Sequence, residues 1–261
     1  MTKRPRGNAV AVLIRSLVVA LVAGVLLQCP APVAAAASDQ DDLAIALDLA
    51  TLLRAARTVI SDNQDRINNA DIGDKGLSGQ AVLEKAAVAF QKAAGVDPRT
   101  LGRESRRGRL LGALMDSIAA VMNENQGSIN RKGIGFKGFV PAVFGRLVNE
   151  HFKQRIGREA EIKVTAPVQL VRNRTARPDT WERHVIENEV GSANWPKGKI
   201  FSAAAEKDGR QAYRVLVPEY YGAACLSCHG APKGEIDVTG YPKEGGNVGD
   251  LGGAISISLF R

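Results

Sequence analysis

Cysteine and histidine are scarce in this sequence, with three of each in 261 residues, and tryptophan (two) and methionine (three) are no commoner. With no second cysteine pair, a four-ligand zinc site lacks donors. Three histidines leave little for acid–base chemistry beside a metal, so an enzymatic role is not expected. After one apolar run near the amino terminus no second one follows, so nothing else offers the ~20 residues that span a bilayer. Nor does any Lys/Arg run extend beyond Arg103 to Arg109, which argues against a phosphate-backbone partner, and no nucleic acid is expected to bind.

What is present begins with an export signal. A cationic start, an apolar stretch from Leu17 to Leu27 and the small residues Ala34 to Ala37 have its three-part form, with cleavage expected after about Ala37. Residues 1–37 are therefore assigned to a signal peptide and the mature protein to the periplasm. The membrane is a partner only if this segment stays uncleaved, or is lipidated at Cys29 after Leu26-Leu27-Gln28. Lys3, Arg4, Arg6 and Arg15 leave with it. The formal charge of +8 then falls to an excess of four, 31 basic against 27 acidic side chains from Ser38 onward. A hydrophobic fraction of 45% is ordinary for a folded chain of this length, enough for one sizeable core or two smaller ones.

An internal repeat organises the first half. Val59-Ile60-Ser61-Asp62-Asn63-Gln64-Asp65-Arg66-Ile67-Asn68 recurs 62 positions later as Val121-Met122-Asn123-Glu124-Asn125-Gln126-Gly127-Ser128-Ile129-Asn130. The match continues without a gap through Ile72-Gly73 and Lys75-Gly76 against Ile134-Gly135 and Lys137-Gly138. Helical spacing precedes each shared loop, in Leu43, Leu47, Ala50, Leu53 and Ile60 and again in Leu111, Met115, Ile118 and Met122. Helices are expected after the loops too, over 81–94 and 141–156. The two helix-loop-helix copies, 38–98 and 99–160, can pack as a small bundle, and their apolar faces also admit a homodimer. The shared Asn-Gln and Ile-Asn pairs read as helix-ending and loop-fixing residues rather than as a site.

From about Glu161 the period shortens to two. Ile162, Val164 and Ala166, then Val168 and Leu170, alternate as a half-buried strand would. Two further strands join through Asp208-Gly209, and Ala254 to Leu259 is the cleanest alternation. The fold class is α+β: a helical repeat bundle, then an antiparallel sheet over 161–261 with long loops.

One of those loops carries Cys225-Leu226-Ser227-Cys228-His229. This spacing attaches haem, both thiols adding to vinyl groups while the adjacent imidazole takes the iron. Zinc would need more ligands than His151 and His184 can add, a redox dithiol would need a βαβ setting, and a plain disulfide leaves His229 unexplained. One covalent haem c is expected, and export agrees with it. Tyr213, Tyr220, Tyr221, Pro232 and Tyr241 are candidates to line the cofactor, core packing being the alternative. Arg172 and Arg174 are candidates to pair with haem propionates, an exposed strand end being theirs. For the distal position the donors are Met115, Met122, His151 and His184, or none. The methionines read as core and His151 as surface, which leaves His184 as the preferred second iron ligand.

Arg172-Asn173-Arg174 with Arg177-Pro178-Asp179-Thr180-Trp181-Glu182, the Cys225 to Pro232 run, and Gly249 to Ser256 together resemble a bacterial haem-c domain family of cyanobacterial haem-sensor type. That family was long classed as a domain of unknown function. Phe136 to Phe144 is similar to its helical portion, and the likeness covers Leu110 to Leu259. The resemblance implies a PAS-like sheet with flanking helices, a single haem c, and redox or small-ligand sensing. On this reading the helices from Asp41 to about Pro98 are an addition. Relatives often precede kinase, cyclase or receptor modules, whereas this chain ends at Arg261, so it is expected to act through a partner: a diatomic gas as ligand, or a redox partner protein. A periplasmic electron-transfer cytochrome is the alternative, and a haem peroxidase a more distant one.

Overall fold

The computed structural model describes Met1, Thr2 and residues 31–261, with side chains from residue 38 onward. Leu17 to Leu27 and Cys29 of the expected export signal lie outside the described residues. Among the described residues no helix is long and apolar enough to cross a membrane.

Three helices come first: α1 (Ala31–Asp62), α2 (Gln64–Asn68) and α3 (Gly79–Ala94). Three more follow: α4 (Arg106–Glu124), α5 (Gln126–Ile129) and α6 (Pro141–Ile156). Local chemistry sets their ends. The Ser78 hydroxyl accepts from the Ala81 N–H, which starts α3 two residues earlier than its apolar spacing suggests. Gly95, at φ 75°, closes it in the left-handed conformation that glycine adopts without strain. Pro141 opens α6, where its missing N–H is no loss.

Residues related by the 62-position offset make matching bonds. Gln64 Nε2 donates to the Ile60 and Phe139 carbonyls, and Gln126 Nε2 to those of Met122 and Leu77. The Lys75 N–H donates to Asn130 Oδ1 and the Lys137 N–H to Asn68 Oδ1, both at 3.0 Å. Each lysine then turns its ammonium onto two carbonyls of its own loop. The loops thus exchange equivalent hydrogen bonds across an approximate two-fold.

Four strands, β1 (Ala160–Thr165), β2 (Phe201–Lys207), β3 (Arg210–Tyr220) and β4 (Leu251–Phe260), form one antiparallel sheet in the order β1-β4-β3-β2. Ile257 faces both Ile162 and Val215 across its neighbours. Asp208 and Gly209, both with positive φ, make the two-residue turn between β2 and β3. The expected continuation of the first strand through Val168 and Leu170 does not form. Pro167 removes an N–H, β1 stops pairing at Thr165, and residues 168–170 make one 3-10 turn instead.

One sheet face, with Val215, Ile255 and Ile257, shares a continuous core with Leu49, Leu114 and Phe152 of the helices. The other, with Leu216 and Ala254, is covered by α7 (Thr180–Val185) and the wide helical turn after it, through Val185, Ile186 and Val190. Asp179 caps α7 in a reciprocal box with Glu182 and also binds the buried Arg214. Asp39–Arg261 forms one compact unit. Arg103, Arg106, Arg107 and Arg109 each meet a carboxylate: Asp116, Asp42, Asp48 and Glu159. The basic run is therefore an ion-paired surface of α4.

Candidate functional site

The cysteine pair lies in the long connection between β3 and β4. After Tyr220 a 3-10 turn, Ala223–Cys225, leads into the one-turn helix α8 (Leu226–His229). The chain then returns along itself: the Gly246 N–H donates to the His229 carbonyl at 2.8 Å, the Gly245 N–H to that of Gly230 at 3.1 Å, and the Gly249 N–H to that of Tyr221 at 2.8 Å. These bonds make a stitched platform of an otherwise irregular loop. Cys225 and Cys228 are both free, half-buried thiols, and burial is the main cause that pushes the Cys228 thiol up from its ordinary range.

Beneath this platform lies a charged cluster. His229 Nδ1 is 2.8 Å from Glu244 Oε2. Arg172 reaches in from the segment between β1 and α7, donating from Nε and Nη2 to Glu244, from Nη1 to Asp237 at 2.6 Å, and from Nη2 to the Cys228 carbonyl at 2.8 Å. The Asp237 side chain is fully buried, and its second oxygen accepts from the Thr239 N–H and hydroxyl. Burial works against both carboxylates, but bonds from Thr239 and Arg172 outweigh it at Asp237, and bonds from Arg172 and His229 at Glu244. Both carboxyls are held below the usual range, Asp237 well below. Ionised Glu244 can only accept, so His229 Nδ1 carries the proton of that bond, and in a neutral imidazole Nε2 would keep its lone pair.

The Tyr221 ring stacks on the His229 imidazole, centroids 5.0 Å apart and planes at 16°. Glycine makes this possible: a Cβ at Gly246 or Gly252 would run into the tyrosine ring. Tyr221 Oη is buried without a hydrogen-bond partner. Burial, with help from the Glu244 charge, pushes its hydroxyl up to about 12. A cleft of about 420 Å³ adjoins the cluster, lined by Leu170, Arg172, Tyr241 and Glu244 among others. A larger cleft of about 650 Å³, between the end of α6 and the β2–β3 turn, is at the other end of β3 and holds none of the expected site residues.

Of the residues singled out from sequence, the loop brings together Cys225, Cys228, His229, Tyr221 and Arg172. Arg172 meets two carboxylates and a carbonyl, so its guanidinium is committed within the protein rather than left free for an external anion. Arg174, two residues on, is exposed on a 3-10 turn. Tyr213 is not at the loop. Eight residues at about 3.3 Å each set it some 26 Å along the strand from Tyr221. There it bonds Ser202, with Arg261 over its ring. His184 is exposed on α7, its Nδ1 3.1 Å from the Asn188 amide. His151 pairs with Glu124, while Met115 and Met122 are in the core. Glu244, Asp237 and Gly246 escaped the sequence reading, and Gly252 entered it only as part of the Gly249 to Ser256 run. The one local signal was Asp237-Val238-Thr239, which has the form of a side-chain-capped turn.

Among the described residues no three His, Cys, Asp or Glu side chains converge as a metal cluster. The model of the Tll0287-like family matches residues 46–259 of the chain. The match begins inside α1, which corrects the expectation that the first helix-loop-helix copy is an addition to the family's domain. No curated protein and no solved structure matches the chain.

Proposed function

We propose, from the premise that this chain belongs to the Tll0287-like family, that it is an exported, periplasmic mono-haem protein working as a redox or small-ligand sensor read by a partner, and not as an enzyme. The observation that carries this reading is the state of His229. Directly after two free thiols at the attachment spacing, it has Nδ1 engaged by Glu244 and Nε2 left as a donor. That is how a metal-bound histidine is held, its far nitrogen tied to a carboxylate that fixes tautomer and ring orientation.

Other features suit the same group. Tyr221 Oη is a buried polar atom awaiting a partner. Each thiol can add its S–H across a vinyl double bond, the sulfur bonding one carbon and the hydrogen passing to the other, with nothing expelled. Bound there, haem would supply a one-electron couple and an iron able to take a small ligand. The protein's own part is to hold the histidine, through Glu244 and the stacked Tyr221, and to anchor the loop through Arg172.

Sensing is favoured over plain electron transfer because Met115, Met122, His151 and His184 are each packed or bonded elsewhere, which supports a weakly held sixth position. Glu219, two residues before Tyr221, pairs with Arg54 and Arg57 of α1 at 2.7 and 2.5 Å, and on this reading a change in the loop would be passed to the helices through that contact. On this reading the sheet with its flanking helices is PAS-like, and the duplicated helix-loop-helix pairs form a bundle that responds.

Made in a host that attaches c-type haem, the protein should keep its haem through acid–acetone extraction, and the Cys225→Ala/Cys228→Ala double variant should lose it. A reduced spectrum that changes with carbon monoxide is the expected result. Extractable haem overturns covalent attachment, and an unchanged low-spin spectrum overturns small-ligand sensing and favours an electron carrier.

A further inference from the structure

We propose that Glu244 is a positioning residue that gives His229 anionic character and thereby biases the bound iron toward its oxidised state. The inference rests on the haem reading above and goes beyond it, in assigning the sign of the bias and the residue responsible.

Glu244 and Asp237 share a single guanidinium, that of Arg172, so the cluster under His229 keeps one uncompensated negative charge. The cluster is also rigid. Arg172 is tied to the Cys228 carbonyl, Asp237 is buried and capped by its own turn, and the Glu244 carboxylate is mostly shielded, its side chain 17% exposed. Shielding limits the screening that water would provide, so the charge acts across the short path from Oε2 through the imidazole to Nε2. Tyr221 is stacked on one face of the imidazole, so turning the ring away from Glu244 would break that contact.

A carboxylate accepting the hydrogen bond from Nδ1–H leaves Nε2 a stronger donor. A stronger donor and a nearby negative charge both favour the more positive metal. The couple is Fe(III) plus one electron giving Fe(II), the electron coming from an added reductant and the Nδ1 proton staying in the His229–Glu244 pair. The carboxylate therefore lowers the midpoint. A backbone carbonyl or a water at this position would be a neutral acceptor and would not produce the bias.

The test is a spectroelectrochemical titration of the full holoprotein with dithionite and ferricyanide, comparing wild type, Glu244→Gln and Glu235→Gln. Glutamine keeps the length and an oxygen acceptor while removing the charge. Glu244→Gln is expected to move the Fe(III)/Fe(II) ratio at a fixed potential at least tenfold toward Fe(II), about 59 mV for one electron. Glu235→Gln, which removes a more exposed carboxylate paired with Lys243 on the same loop, is expected to stay within threefold. If both Glu244→Gln and wild type carry covalent haem and their midpoints coincide within threefold, the inference is overturned while the haem reading stands. Absence of covalent haem from wild type overturns both. Should Glu244→Gln fail to mature, the iron–histidine stretching band of wild type after photolysis of its carbon monoxide complex decides. A band at the raised frequency of an imidazolate-like ligand supports the inference, and one at the ordinary imidazole frequency overturns it.

Discussion

Asp237 shows how much of the site depends on one buried charge. Its carboxylate is fully buried, receives an arginine and three donors from its own turn, and is held well below its ordinary range despite burial. In the unfolded chain an aspartate titrates near about 3.9. A carboxyl depressed in the folded state contributes stability that is present above that value and is lost as pH falls toward the folded one. Asp237→Asn should therefore cost about 2 kcal/mol at pH 7, where it breaks a charge-assisted bond to Arg172. The gap to wild type should narrow below about pH 4. Urea unfolding at pH 7 and pH 3 reads both, and a gap of equal size at the two pH values would show that Asp237 is not the group responsible. At this scale the sequence was informative only where chemistry is covalently local. Cys225, Cys228 and His229 are neighbours along the chain, whereas Glu244 lies 15 residues beyond its histidine in a stretch without periodicity.

The matched loops of the helical half set a second scale. Asn130 accepts from the Lys75 N–H and Asn68 from the Lys137 N–H with the same geometry, but the settings differ: Lys75 is 1% exposed, whereas Lys137 is half-buried. Asn130→Ala leaves a buried donor without a partner, at about 1–3 kcal/mol, while water can replace the lost bond in Asn68→Ala. Thermal melts of the two variants should separate accordingly, and equal destabilisation would sink the argument. Elements of this kind were legible beforehand. Helical spacing located α3 to within two residues and α6 at its ends, and period-two alternation located β3 and β4. The strand expected to run on to Leu170 failed at Pro167. Nearness along the chain also misled about Tyr213, because it does not tell which end of a strand approaches a loop.

Across the whole molecule, one core joins Leu49 and Phe152 of the helices to Val215 and Ile257 of the sheet. Unfolding followed by far-ultraviolet circular dichroism, dominated by the helices, should then coincide with unfolding followed by fluorescence of Trp181 and Trp195, which lie on the sheet's other face. Two separated transitions would mean that helices and sheet fold as independent units. Sequence alone determined most of the helices and strands and their order, the duplication and the Cys225-x-x-Cys228-His229 spacing, because periodicity, capping and spacing act between residues a few positions apart. Only the tertiary structure decided that Arg172 meets Asp237 and Glu244, that Tyr221 rather than Tyr213 covers His229, and that Glu219 is held by α1. The arginine pairings bridge 65, 72 and more than 160 positions, and the Tyr221–His229 stack bridges only eight. They depend on how a sheet edge, a helix and an irregular loop pack together, and no local pattern encodes that packing.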